Sequence, residues 1–199
     1  VFEKKSAEVG TEVIFAEDEF IEAYELDLLG SYQDENQQTA LHALRKLNDL
    51  DYDIQEENLE KGFSRIIDNT VLHGRWEYLG ESPDILTDMA HNAEGISLVL
   101  KEIEELGYEN VHFVWGMVND KDVDSILDML PKDATYYFCK PDIPRGMDAS
   151  TLKELANNKS LKGESYSSVN KALDQAKANC AKHDLIFVGG STFVVAEVI

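Results

Sequence analysis

From Gly74 onward the sequence alternates between short apolar runs and amphipathic stretches, and this alternation restricts the fold more than any other property of the chain. "RWEYLG", "DILTDM", "NVHFVWGM", "ATYYFC" and "DLIFVGG" read as strands, and between them "EGISLVLKEIEELG", "KDVDSILDML", "DASTLKELANN" and "SVNKALDQAKANCA" read as helices. In the first helical stretch Ile96, Val99, Leu100, Ile103 and Leu106 recur at helical spacing. Strands separated by helices are joined by crossovers, so the expected class is α/β, with a Rossmann-like, mostly parallel sheet and helices on both faces. Asn92 or Glu94 is expected to cap the first helix, Asp148 the third and Ser167 or Ser168 the fourth, with Gly107 closing the first. The last stretch, "STFVVAEVI", carries β-branched residues but follows a "GGS" helix start, and it is read as a helix.

Residues 1–72 follow another pattern. Two strand-like runs, "TEVIFAE" and "AYELDLLG", precede two helices, "NQQTALHALRKL" and "EENLEKGFSRIIDN", the second with Leu59, Phe63, Ile66 and Ile67 on one face. So few elements enclose little core. Residues 1–72 are therefore expected to be the tail of a larger domain, and residues 73–199 a domain of their own. The chain opens on Val1, and "VFEKKSAEVGTEVIF" has neither the basic start nor the apolar core of a secretory signal, so it is expected to begin mid-protein.

Charge narrows the partners. With 39 acidic against 18 basic side chains the formal net charge is -21, which repels nucleic acid backbones and anionic lipid, and neither is expected as a partner. No apolar run approaches the roughly 18 residues of a membrane span. Cys139 and Cys180 lack CxxC spacing, which argues against a structural disulfide or zinc site and fits a reducing cytoplasm. An anionic ligand would have to be held by local cations and backbone N–H groups against the overall field, so each arginine beside a turn is a candidate contact.

The turns carry the chemistry. "TDMAHNAEG" sets Asp88, His91 and Asn92 between a strand and a helix, at the sheet edge where α/β folds bind ligands. Asp88 reads either as an acceptor for ribose hydroxyls or as a turn residue, and His91 either as a contact for an anion or reacting group or as a surface side chain. "FVGGST" supplies Gly189, Gly190 and Ser191, either a backbone passing close to a ligand or plain turn punctuation. Arg75, in "HGRWEYLG", and Arg145, in "PDIPRGMD", are each a phosphate-type contact or a solvated arginine. Asn36, at the start of the first long helix, has N-cap duty as its default role. Neither G-x-x-x-x-G-K-[ST] nor G-x-G-x-x-G occurs in the chain, so a triphosphate would have to be gripped elsewhere.

Five stretches in one order resemble folylpolyglutamate synthase in its bifunctional form, also a dihydrofolate synthase, within the Mur ligase superfamily. They are "LLGSYQDENQQTALHAL", "HGRWEYL" (P-G-R-x-E in the family), "DILTDMAHNAEG" (D-G-A-H-N-P), "GMVNDKDVDSIL" (G-x-x-x-D-K-D) and "FVGGSTFVVAEV", and together they span about residue 24 to the end. The resemblance implies that residues 1–72 end a central ATPase domain and that residues 73–199 form the C-terminal, glutamate ligase domain. It implies ATP and Mg²⁺ as cofactors, with the metal ligands in a preceding ATPase domain outside this sequence, and L-glutamate and folate or dihydropteroate as substrates, in a cytoplasmic and monomeric enzyme. By position Asn36, Arg75 and Asp88 resemble nucleotide contacts, His91 an activity-bearing histidine, and Asn92 and Ser191 contacts of the glutamate side. Met89 and Ala93 depart from the family's glycine and proline on either side of His91. This chain alone is expected to be inactive for want of a phosphate loop. The rival readings are a muramyl amino-acid ligase and a non-catalytic α/β ligand-binding domain.

Overall fold

The computed structural model describes residues 1–119 and 122–199 and divides into two compact units, Val1–Val71 and Leu72–Ile199. Asp120 and Lys121, inside the "GMVNDKD" stretch, lie outside the described residues.

The second unit contains one six-stranded sheet. Its strands are β1 (Glu77–Gly80), β2 (Asp84–Thr87), β3 (Val111–Trp115), β4 (Thr135–Cys139), β5 (Lys162–Tyr166) and β6 (Leu185–Gly189), in the spatial order β1-β2-β6-β3-β4-β5. All pairings are parallel except β1 with β2, so β1 is an antiparallel edge strand. In β3 and β4 successive side chains alternate between faces. Phe113, Trp115, Tyr136 and Phe138 point to one side, against Ile96, Val99 and Ile103 of α5 (Ala93–Glu105) and residues of α6 (Val123–Met129) and α7 (Ala149–Asn158). Val114, Tyr137 and Cys139 point to the other, against α8 (Val169–Asn179) and Val194 of α9 (Thr192–Val195). Phe113 stacks on Tyr136 with ring centroids 5.2 Å apart, and Tyr136 on Phe138 at 5.5 Å. Each such buried ring contributes about 1.5–3 kcal/mol by leaving water. Mostly apolar central strands with helices on both faces are what a parallel sheet requires.

The caps follow the sequence. Asn92 accepts the Gly95 N–H at 2.8 Å, Asp148 accepts from Ser150 and Thr151, Ser168 accepts from Lys171, and Gly107, at φ 72°, ends the turn after α5. The final helix is present as the short α9. β5 escaped the sequence reading because "KGESY" is an edge strand whose residues stay exposed or half-buried, with no apolar alternation to read.

The first unit departs from expectation. "TEVIFAE" and "AYELDLLG" form no strand. The backbone that a neighbouring strand would have paired is paired by side chains instead. The Gln37 amide accepts the Tyr24 N–H and donates to the Tyr24 carbonyl, both at 3.0 Å, and Gln38 does the same for Ile21 at 2.9 Å. Both glutamines lie on α2 (Tyr32–Asn48), which starts four residues before Asn36. Ser31 occupies the N-cap position, so Asn36 is not a cap: it sits on the second turn, exposed, donating to Gln33 at 2.9 Å. The single helix expected over 56–69 is two, α3 (Glu56–Phe63) and α4 (Ile66–Thr70), because Asp27 accepts the Ile66 and Ile67 N–H groups at 3.0 and 2.8 Å and so starts a new helix there. A further helix, α1 (Phe2–Val9), buries no residue. Among the hydrophobic residues of this unit only Ile21 and Leu41 are buried, while Phe2, Phe20 and Leu50 are mostly exposed. Among the described residues no helix is long and apolar enough to cross a membrane.

Candidate functional site

The strand order creates a crevice. β2 and β6 are parallel neighbours, with Thr87 opposite Val188, so their chains leave the sheet side by side at the carboxyl edge. The chain after β2 turns to α5 on one face, and the chain after β6 turns to α9 on the other. Adjacent strand ends whose connections diverge leave a cleft between them, the usual ligand position in open α/β sheets. The Asp88 N–H donates to the Val188 carbonyl at 3.3 Å, and a Cβ on Gly189 would lie 3.2 Å from the Asp88 carbonyl oxygen, so the two turns share one rim.

A third segment joins them because β1 runs antiparallel and therefore starts where the parallel strands end. In the turn leading into β1, the Gly74 carbonyl accepts the Met89 N–H at 2.9 Å, and a Cβ on Gly74 would meet Val195 of α9 at 2.8 Å and Met89 at 3.1 Å. Met89 thus packs its side chain against this turn. Arg75, Asp88, His91, Asn92 and Ser191 all lie on this rim. Asn36 belongs to the first unit.

Asp88 is 1% exposed, with Oδ2 accepting the Trp76 N–H at 2.9 Å and Oδ1 the Ala90 N–H at 2.7 Å. Both oxygens of the Asp88 carboxylate thus accept from backbone N–H groups. Its first effect is to tie the turn bearing Arg75 to the turn bearing His91. His91 is exposed, and its Nδ1 lies 3.0 Å from the Met89 carbonyl oxygen. A carbonyl only accepts, so Nδ1 carries a proton and Nε2 is the other ring position: an acceptor in the neutral ring, a donor in the charged one. Asn92 spends its side-chain oxygen on capping α5. Ser191, 3% exposed, caps α9, with Oγ accepting the Phe193 N–H at 3.3 Å. Arg75 is exposed and makes no ion pair with another described residue.

The double glycine is needed for packing. Gly190 has φ 89°, and a Cβ there would lie 2.7 Å from the Trp115 ring and 2.8 Å from the Gly116 carbonyl oxygen. Arg145 lies on the same edge, its guanidinium 5.0 Å from the centre of the Phe193 ring, and Glu197 accepts the Asp142 N–H of the same loop at 2.7 Å. Cys139, at the end of β4, is not a nucleophile, because burial pushes its thiol far above the ordinary range. Cys139 and Cys180 are both free thiols. Among the described residues no three His, Cys, Asp or Glu side chains are grouped to hold a metal ion. The sequence reading missed Glu77, whose carboxylate closes the Arg75 turn. Its only signal was its place in "GRWE".

A parallel sheet with an antiparallel edge and a polar carboxyl rim defines an α/β domain of the doubly wound kind. The model of the Mur ligase family's glutamate ligase domain matches residues 74–192, and the chain belongs to that family. A probable bifunctional folylpolyglutamate synthase/dihydropteroate synthase of Haloferax volcanii is 34% identical over 86% of this chain and 20% of its own length. The structure of Escherichia coli FolC in complex with DHPP and ADP superposes with a TM-score of 0.73 at 29% identity, covering 89% of this chain and 40% of that one. A bifunctional folylpolyglutamate synthase/dihydrofolate synthase with Mn, AMPPNP and L-glutamate bound gives a TM-score of 0.71 at 26% identity, over 87% of this chain and 40% of that one. The chain therefore spans between a fifth and two fifths of the length of these relatives.

Proposed function

We propose that this chain is the C-terminal part of an ATP-dependent ligase that adds L-glutamate to folate or dihydropteroate. Its residues 1–72 would be the end of the central ATPase domain and its residues 73–199 the glutamate ligase domain. The observation that carries the reading is the convergence of Arg75, Asp88, His91, Asn92 and Ser191, drawn from three separate motifs, on the crevice between β2 and β6. In such a ligase the terminal phosphoryl group of ATP passes to a carboxylate of the pterin substrate, giving an acyl phosphate and ADP. The glutamate amine then attacks the acyl carbon, loses a proton and expels phosphate, leaving an amide. A divalent metal would neutralise the phosphate charge, held by residues outside this chain.

Arg75 is an exposed cation on the rim and suits a phosphate, and Asp88 would accept from a ribose hydroxyl. By the resemblance alone, Asn36 would be a nucleotide contact. His91, through Nε2, either takes the proton released by the amine or, when charged, donates to a carboxylate or to the oxyanion of the tetrahedral intermediate. Ser191 and Asn92 would orient the incoming glutamate. The scarcity of buried hydrophobic residues in the first unit supports its belonging to a larger domain, and a chain without a phosphate loop is expected to ligate nothing alone.

The test is an assay of the ligase that carries this chain, with ATP, L-glutamate and either dihydropteroate, folate or a muramyl nucleotide acceptor. Glutamate addition to a pterin supports the reading. Activity on the muramyl acceptor alone, or ligation by residues 1–199 in isolation, refutes it.

A further inference from the structure

Arg75 leaves a turn whose backbone is pinned on both sides of it. Gly74 has φ 75° and Trp76 φ 48°, two left-handed residues flanking one arginine, and a tryptophan stays in that region only when its surroundings over-determine it. Two carboxylates do so. Asp88 takes the Trp76 N–H at 2.9 Å, and Glu77 takes the Gly74 N–H at 2.6 Å through Oε2. The remaining oxygen of Glu77 lies 2.8 Å from Nδ1 of His73, and its side chain is 26% exposed. Its backbone is fixed as well: Glu77 is the first residue of β1, pairs with Thr87 and accepts the Thr87 hydroxyl at 3.2 Å.

This arrangement also solves an electrostatic problem. In a chain of net charge -21, a carboxylate two residues from an arginine would ordinarily compete for it. Glu77 instead spends its charge on the Gly74 N–H and on His73, and no ion pair forms between Arg75 and Glu77. The guanidinium is thereby left to an external anion.

We propose that Glu77 is a positioning residue for Arg75: by holding the Gly74 amide it fixes the direction in which the guanidinium leaves the turn, and with it the grip on the nucleotide phosphates. The inference rests on the reading of Arg75 as a nucleotide contact. In the ligase carrying this chain, Glu77→Ala should raise the KM for ATP about tenfold, with a smaller fall in kcat. Glu77→Gln, whose amide oxygen still accepts the Gly74 N–H, should raise it less. Arg75→Ala should raise it at least tenfold, and adding Glu77→Ala to Arg75→Ala should change it no further, because the positioned group is gone. Multiplying effects in the double variant, or a lower melting temperature with an unchanged KM for ATP in Glu77→Ala, would overturn the positioning role while leaving Arg75 its contact. An unchanged KM in Arg75→Ala would instead remove the Arg75 contact itself, and the positioning role with it.

Discussion

Asp184 offers the most quantitative test of how the sheet is held. It lies just before β6, 7% exposed, and three donors converge on it: the Ala181 N–H at 2.6 Å and His112 Nε2 at 3.3 Å on Oδ2, and Asn110 Nδ2 at 3.1 Å on Oδ1. Because the carboxylate accepts from Nε2, the His112 Nδ1 accepts from the Tyr137 hydroxyl at 3.0 Å, which in turn accepts from Asn179 at 3.2 Å. Every member is satisfied in one direction. Asp184→Ala strips all three donors of their acceptor, and the Ala181 and His112 groups have little water to turn to. At about 1–3 kcal/mol for each buried donor left unpaired, the loss is about 2–5 kcal/mol. Asp184→Asn should cost only about 1 kcal/mol, because its oxygen can serve the Oδ2 pair while its NH₂ faces an Asn110 amide free to flip. For a unit of this size about 3–5 °C accompanies each kcal/mol, so calorimetric melting should show a drop of about 10–20 °C for alanine and under about 5 °C for asparagine. Equal shifts for the two variants, or less than about 3 °C for alanine, would refute the network as a source of stability. Acid adds a second reading. The Ala181 N–H, helped by Asn110 and His112, holds the Asp184 carboxyl below the usual carboxylate range. Its stabilisation is therefore complete above the unfolded value of about 3.9 and fades as pH falls through the lower folded value, so the acid limb of the stability curve should be shallower in Asp184→Ala.

Other outcomes follow from the rim. In the intact ligase His91→Ala should lower kcat at least tenfold while the KM for ATP changes less than about threefold; steady-state kinetics showing the reverse split would remove His91 from the chemical step. Asp88→Ala should raise the KM for ATP and also lower kcat, since the same carboxylate ties the Arg75 turn to the His91 turn; an effect on ATP alone would reduce Asp88 to a nucleotide contact. Gly190→Ala should cost about 2–4 kcal/mol in urea unfolding, because its Cβ would lie 2.7 Å from the Trp115 ring at φ 89°, and a change below about 1 kcal/mol would show that the turn relaxes easily.

Much of the second unit is legible in the sequence because its elements obey local rules. β3 and β6 are apolar enough to announce central strands, α5 carries a clean apolar stripe, and Asp148 is a cap by chemistry alone, while the choice of Asn92 over Glu94 and of Ser168 over Ser167 needed the structure. β5 was missed because an exposed edge strand has no burial pattern to betray it. In the first unit the strand reading of "AYELDLLG" failed at Tyr24 because a glutamine amide, 13 residues away along the chain, does the work of a neighbouring strand. No local propensity records such a pairing. At the rim, the motif residues were found as side chains, but the backbone bonds of Asp88 and Glu77 depend on left-handed turns at Gly74 and Trp76 that a tryptophan does not advertise.

The reversed direction of β1 has a practical meaning for engineering. It brings the Gly74–Trp76 turn to the same edge of the sheet as the turns that follow β2 and β6. An extra residue between Gly74 and Trp76 should break the bond from the Trp76 N–H to Asp88, whereas extra residues at the Gly107 bend, at the opposite end of α5 from His91, should be tolerated.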